Sequence, residues 1–365
     1  MAFKRFCVVS LLSILILLPM PVQAQNEMEL DWSQFDFVPG DVIIFEDNLE
    51  NERNGEFPSK WDLVNGVVEI ASLDGENVIM FRKGNINSNG GIVPLMKNSG
   101  EDYLPDEFTV EFDAFFDEPN RTYRVLFYDG KSQNQLNRSV NGGSSNKNDR
   151  IRIYQNSADF ANGNRSYYPG FVAGSEEGKQ STPGWRRVSI SFNQRALKVY
   201  LDDARLLNIP NMDFNPLGIT IAYHNTSGKD HNGYIKNIRI AEGAVPLYDK
   251  FLTDGKIVTT GIRFDVNKST LRPESIGTIN EIFALMEENG ELNFSVEGHT
   301  DSDGDPEHNQ TLSEARAKAV MDKMIEMGIS ADRLKSVGHG QSAPIAPNDT
   351  PEGKAQNRRV EFVKF

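Results

Sequence analysis

Two folded bodies of different class are expected from this sequence, an all-β sandwich over residues 41–245 followed by an α+β domain over residues 256–365. Length is the first indication, since 365 residues exceed the usual span of one domain, about 100–200 residues. The second is a period of two: between residues 41 and 240, apolar and polar side chains alternate in short runs separated by clusters of Gly, Asn, Pro and Ser. The third is a change of period near residue 255, beyond which apolar residues recur at helical spacing between strand-like runs.

Ahead of both bodies, Lys4 and Arg5 precede an apolar run over residues 6–18, and Val22-Gln23-Ala24 supplies small residues for cleavage before Gln25. Residues 1–24 are therefore expected to be a secretory signal peptide, with residues 25–40 as an N-terminal extension. The run is shorter than the roughly 20 residues a spanning helix needs, and Pro19 and Pro21 break it. The sole cysteine, Cys7, lies inside that run. An exported chain without thiols has no disulfides, so its stability must come from its cores. The balance is acidic, 38 Lys and Arg against 52 Asp and Glu for a net charge of −14, and removing the signal makes it more so. Such a chain repels polyanions, so nucleic acid and anionic lipid are poor partners. No apolar stretch of spanning length follows residue 24.

Within the sandwich region the clearest pattern covers residues 185–201, where Val188, Ile190 and Phe192, then Leu197, Val199 and Leu201, alternate with polar residues on either side of Gln194-Arg195. That is a hairpin with one buried face. Similar strands are expected at 108–114, 121–128, 150–154, 217–223 and 234–240, and the Asn-, Ser- and Gly-rich stretch 132–148 reads as a loop. A transmembrane barrel needs strands of roughly 9 to 11 alternating residues, and these runs are shorter. The segments Trp185-Arg186-Arg187-Val188-Ser189-Ile190-Ser191-Phe192, Leu197-Lys198-Val199-Tyr200-Leu201-Asp202 and Gly233-Tyr234-Ile235-Lys236 resemble the late strands of concanavalin-like or laminin-G-like jelly rolls. Domains of that fold often bind sugars, and Tyr167, Tyr168 and Trp185 are candidates for stacking on them.

Residues 246–255 form the expected linker, with Gly243 and Pro246 at its start and apolar Val245, Leu247, Tyr248 and Phe251 around it. Beyond it, residues 257–264 read as a strand. Pro273 opens a helix whose Ile276, Ile279, Phe283 and Met286 share one face, and Asn289-Gly290 ends it. A second strand covers 292–299. Thr311 and Glu314 form a possible capping box for the next helix, with Ala315, Ala319 and Met324 inward and Gly328 as its stop. Strands at 334–338 and 358–363 complete a βαβαββ order, which implies a mixed sheet with helices packed on it.

This region carries Gly298-His299-Thr300-Asp301-Ser302-Asp303-Gly304, Asn309-Gln310-Thr311-Leu312-Ser313-Glu314-Ala315-Arg316-Ala317, Gly338-His339-Gly340-Gln341 and Asn357-Arg358-Arg359-Val360-Glu361. Over residues 256–365 it resembles the OmpA-like peptidoglycan-binding domain. The resemblance implies non-covalent attachment to the diaminopimelate of a Gram-negative cell wall, with Asp301 and Arg316 holding the amino-acid end of that residue. It also implies that Asp265, Thr300, Asn309 and Leu312 line the same pocket and that one of Arg358 and Arg359 reaches its rim. His308 stands where the family more often has Tyr.

The residues support the same chemistry without the family. Diaminopimelate ends in an ammonium and a carboxylate on one carbon, so its partner needs an acceptor and a donor a few ångströms apart. Asp301 accepts when ionised, and Arg316 offers a planar fork. A plain ion pair between Asp301 and Arg316 is the alternative. Asp301, Asp303 and Asp305 mimic the start of a calcium loop, but Pro306 takes the place of its turn glycine and Leu312 that of its bidentate Glu. His299 and His308 flank the loop without a third ligand at metal spacing. Glu111 and Asp113 are the best acid pair for a glycosidase, yet they alternate with Val110, Phe112 and Ala114 as the solvated face of a strand. The expectation is a non-enzymatic, periplasmic, wall-associated protein, with possible retention at the outer membrane. No cofactor or metal is expected, and the sandwich is left to meet a glycan or another envelope protein.

Overall fold

A strand with one apolar face needs a second layer to cover it, and the alternating region satisfies that need with a second sheet. The computed structural model describes residues 36–82, 90–96, 103–117, 121–128, 150–162, 165–167, 183–212, 215–225, 231–243, 251 and 254–365. The segment Gln34–Phe365 clusters as one unit. The expected signal peptide, most of the N-terminal extension, the loop at 132–148, Tyr168 and most of the linker lie outside the described residues.

The strands of the sandwich are β1 (Val42–Asp47), β2 (Trp61–Asn65), β3 (Val67–Leu73), β4 (Glu76–Arg82), β5 (Gly90–Pro94), β6 (Glu107–Phe116), β7 (Arg121–Tyr128), β8 (Arg150–Ile153), β9 (Ala158–Asn162), β10 (Arg165–Tyr167), β11 (Gly184–Asn193), β12 (Ala196–Leu201), β13 (Ala204–Ile209), β14 (Gly218–Asn225) and β15 (Gly233–Glu242). One sheet runs β13-β12-β11-β6-β15-β4-β3, with β1 also paired to β15; the other runs β10-β9-β8-β7-β14-β5-β2. Phe108, Phe112, Ile190 and Phe192 of the first and Tyr123, Val125, Ile151 and Ile221 of the second share one core and are fully buried. The expected hairpin is β11 and β12, paired from Val188↔Leu201 to Asn193↔Ala196. Gln194 turns it with a φ of 52°. Trp185 is half-buried, edge-on to Phe115 and under the Lys236 ammonium, so its ring is already occupied.

The C-terminal region adds β16 (Lys256–Thr259), β17 (Phe294–His299), β18 (Leu334–Gly340) and β19 (Val360–Lys364), with helices α1 (Ile276–Glu288), α2 (Pro306–Met327) and α3 (Pro351–Asn357). The sheet order is β16-β19-β17-β18. β17 and β18 are parallel, and β19 is antiparallel to both β16 and β17. The sheet is thus mixed, as its element order implies. α2 lies close over β17 and β18 because Gly298 and Gly338 leave room: a Cβ on Gly298 would sit 2.4 Å from the Ser313 carbonyl oxygen, and one on Gly338 2.4 Å from the Glu314 nitrogen.

Four expectations need correction. The first C-terminal strand ends at Thr259 instead of 264, because the chain turns where the Gly261 N–H donates to Thr259 Oγ1, and Phe264 returns only as a bridge to Leu271. α2 starts at Pro306, capped by Asp305, whose side chain accepts from the N–H groups of Glu307 and His308. Thr311 is therefore inside the helix, and the buried face is Ser313, Ala317, Val320 and Met324, while Ala315 is exposed. α3 lies between the strands expected at 334–338 and 358–363, where the βαβαββ order has no helix; Pro351 follows the Thr350 cap and its one buried apolar side chain, Ala355, leaves no periodicity to detect.

The fourth correction concerns Glu111. It lies on the outer face of β6, but that face is covered and the side chain is fully buried. Glu111 accepts from Arg187 of β11 at 2.9 Å and from Arg263, beyond β16, at 2.7 Å. Burial alone would raise its carboxyl, but Arg263, Arg187 and Arg239 outweigh burial and hold it down to about 2. Asp113 is likewise paired with Arg187, at 3.0 Å. Acids engaged in this way fasten β6 and β11 to the segment beyond β16. Arg239 of β15 donates to the Gly40 carbonyl and to Thr260 Oγ1, and Val38 packs against the C-terminal core.

Candidate functional site

The loop after β17 is held from below. The Thr300 N–H donates to the Gly340 carbonyl at 2.9 Å, and Asn309 Nδ2 on α2 donates to the Asp303 carbonyl and Gln341 Oε1, both at 2.8 Å. Gly304 takes a φ of 89° that favours glycine, and the chain enters α2 at the next residue. Asp301 is thereby fixed at the strand exit. Its Oδ1 accepts from the Asp303 N–H at 3.1 Å and its Oδ2 from Arg358 Nη1 at 2.7 Å.

Arg316 lies on α2 beside this loop but does not pair with Asp301. Its Nε donates to the Lys268 carbonyl at 3.0 Å and its Nη2 to the Asp265 carbonyl at 3.4 Å, and the guanidinium stacks over Phe264, 5.0 Å from the ring centre. Nη1 has no partner among the described residues. Burial first, and then the charge of Arg358, push Arg316 below the usual guanidinium range, against the opposing pull of Asp301. Arg358 moves the other way, because Glu46 and Asp301 outweigh the cost of its burial.

Thr300, Asp301, Asn309, Leu312, Arg316 and Arg358 line a single cleft of about 830 Å³. Asp265 contributes its backbone carbonyl to Arg316 while its carboxylate lies 3.8 Å from both Lys268 and Arg272, so that side chain is absent from the cleft wall. Arg359 is also turned away: it is 4% exposed, with Nε donating to Glu361 at 2.7 Å. Both precede β19, and of the two arginines only Arg358 lines the cleft.

One wall of the cleft was missed in sequence. It comes from the sandwich, where Glu46 and Asp47 end β1, Asn48, Glu50 and Asn51 follow, and Lys236 lies on β15. The turn is firmly made. Asp47 accepts from the indole of Trp61 at 2.7 Å and the Leu49 N–H at 3.2 Å, and buried Leu49 takes a φ of 61°. Arg358 reaches across to Glu46 at 3.5 Å. Asp47-Asn48-Leu49-Glu50-Asn51 reads as an ordinary turn in sequence, and no local signal gives its distance from Asp301.

The acids of the calcium-like stretch already have partners: Asp303 with Lys354 at 2.7 Å, Asp305 with the first N–H groups of α2, and Asp301 with Arg358. His299 is buried and stacks on His339 at 4.9 Å, and the ligand-bearing atoms of Glu297, His299 and His339 lie within 4.8 Å of one another. Sequence spacing paired His299 with His308; strand pairing brings it to His339 instead.

Residues 263–358 match the OmpA family. They form an OmpA family domain. Similar curated proteins are outer membrane porin F of Pseudomonas aeruginosa, 43% identical over 105 residues, 28% of this chain and 30% of that protein, and the probable lipoprotein YiaD of Escherichia coli, 40% identical over 102 residues, 28% of this chain and 47% of that protein. A third is the peptidoglycan-binding protein ArfA of Mycobacterium bovis, 37% identical over 107 residues, 29% of this chain and 33% of that protein. The chain thus spans about a third of the length of the porin F proteins, 30% and 32%. Within the OmpA family domain, Asp301 and Arg316 face one open cleft without neutralising each other, and that cleft is closed on its far side by residues from outside the domain.

Proposed function

We propose that this is a non-enzymatic cell-envelope protein whose OmpA family domain binds peptidoglycan and so tethers the β-sandwich to the cell wall in the periplasm. The ligand is the free end of a diaminopimelate in a stem peptide. Its ammonium goes to Asp301 and its carboxylate to Arg316, with Thr300, Asn309 and Leu312 as walls and Arg358 supplying a second cation near the carboxylate. One observation carries this reading: an acid and an arginine line the same cleft unpaired with each other, the arginine keeping a free Nη1. A zwitterion satisfies both, since charge-assisted hydrogen bonds to a carboxylate and from an ammonium are the strong kind. The similarity to a protein named for peptidoglycan binding supports it.

The sandwich is the tethered part. Its kinship to concanavalin-like jelly rolls, and a glycan or second envelope protein as its partner, stay within the proposal. Co-sedimentation of the intact protein with diaminopimelate-type sacculi tests the tether. Wild type is expected in the pellet and Arg316→Ala in the supernatant. Equal retention of a correctly folded Arg316→Ala contradicts it.

A further inference from the structure

Between the sandwich and the OmpA family domain lies a second cavity, of about 170 Å³, and its lining includes Arg239, Arg263, Arg272, Arg316, Arg358 and Arg359 with a single carboxylate, that of Glu46. Four of these arginines are matched by acids: Arg263 by Glu111 at 2.7 Å, Arg272 by Glu274 at 3.4 Å, Arg358 by Asp301 at 2.7 Å and Arg359 by Glu361 at 2.6 Å. Arg239 and Arg316 form no ion pair with a carboxylate among the described residues. Both make hydrogen bonds to neutral oxygens only. Arg239 is 5% exposed, donates to the Gly40 and Thr260 oxygens, and has an Nε without any partner among the described residues.

The electrostatics of the lining point the same way. Burial, and then the charge of Arg263, pull Arg239 down to about 10. His299, whose ring nitrogens have no hydrogen-bond partner among the described residues and whose Nε2 lies 3.7 Å from Glu361, also lines the cavity and falls to about 4 through burial and then Arg359. Buried cations without counter-charges are costly. The chain carries 52 Asp and Glu, yet Glu46 is the one carboxylate in the lining, and Glu111 and Glu46 pull on Arg239 without an ion pair to it among the described residues. A guanidinium fork matches a carboxylate or a phosphate group and gains most where water is scarce.

We propose that this chamber is an anion subsite built jointly by the two bodies, which takes a carboxylate or phosphate group, and that in the wall-bound protein a carboxylate of the stem peptide fills it. The second half rests on the proposed function. Chamber and cleft adjoin, because both are lined by Glu46, Phe264, Arg272, Arg316 and Arg358. Diaminopimelate carries a carboxylate at each end, and both are free where it terminates the stem. Arg239 would then make the sandwich part of the wall-binding site, with selectivity for a stem ending in diaminopimelate over one whose second carboxylate is spent in a further peptide bond.

The test uses the intact protein with two probes, inorganic phosphate and a soluble muramyl tripeptide ending in diaminopimelate, at constant ionic strength. Wild type is expected to show a saturable rise in Tm with phosphate beyond that given by chloride. Arg239→Met should lose that rise and bind the tripeptide about tenfold more weakly, the scale of one charge-assisted hydrogen bond. Its fold should survive, since an apolar side chain replaces a buried charge that bonds only to neutral oxygens; Arg239→Lys, which keeps the charge but not the fork, serves as the second variant. Asp301→Asn should lose the tripeptide and keep the phosphate response, so failure of the cleft is read separately from failure of the chamber. A phosphate response unchanged in both Arg239 variants overturns the anion subsite. Loss of that response with full tripeptide affinity overturns the assignment to the stem carboxylate.

Discussion

Asp301 Oδ2 accepts from Arg358 Nη1 at 2.7 Å, and Arg358 in turn lies 3.5 Å from Glu46 of the sandwich. The acid of the cleft is thus tied to the second body through one shared arginine. When an ammonium takes Asp301, Arg358 has Glu46 at hand, so the acid can change partner without stranding a buried guanidinium.

Glu46→Gln removes that alternative partner and should weaken binding to sacculi by a factor of about two to five, the range for a partly exposed charge pair. Thermal stability should change little. Sedimentation binding curves at two salt concentrations measure it, with the difference shrinking at high salt.

Glu111→Gln leaves Arg187 and Arg263 in a covered joint without their shared acid. Breaking a buried pair in this way costs about 3–5 kcal/mol. Denaturant unfolding of wild type and variant reads the loss directly. If the joint contributed nothing, the two midpoints would coincide.

Stability should decline on the acid side. Glu111 has its carboxyl lowered from 4.5 to about 2 by folding, so its contribution is complete above 4.5 and is lost as the pH falls toward about 2. His299 is buried neutral, with its ring lowered from 6.5 to about 4, so protonation of the unfolded chain erodes stability between those values. The expected profile is flat above pH 7, falling from about 6.5 downward through the His299 window. Replacing His299 with Gln should lessen the upper part of that fall, as measured by Tm against pH, with His224, also lowered from 6.5 to about 4 by burial and then Arg124, supplying the remainder.

Gly298→Ala places a methyl 2.4 Å from the Ser313 carbonyl of α2. The helix must shift off the sheet, at a cost of about 1–3 kcal/mol. Since the same helix carries Arg316, wall binding should fall with stability. Asp305→Ala is a milder probe: it loses the cap of α2 for about 1 kcal/mol and should leave most binding intact.

Period and motif made much of this molecule readable in advance. Strand alternation marked the β11–β12 hairpin, and a change of period marked the α+β body, because both signals are local. Asp301, Arg316, Thr300, Asn309 and Leu312 come from one short stretch of chain and line one cleft. What could not be read was contact between distant segments. Glu111 looks solvated within its own strand, and only the packing of Arg263 against it shows otherwise. The far wall of the cleft comes from a turn more than two hundred residues away, with no sequence pattern to announce it. α3 hid for a different reason, since a short helix burying one apolar side chain has no amphipathic signature.

The most direct test of the account is calorimetric titration of the intact protein with two soluble muropeptides, one ending in diaminopimelate and one in lysine. They differ at the distal carbon, where lysine keeps the ammonium and lacks the carboxylate. Asp301 and Arg316 acting as two halves of one grip predict binding of the first and at least a tenfold loss for the second, the scale of one charge-assisted contact. Equal affinity for both would contradict it.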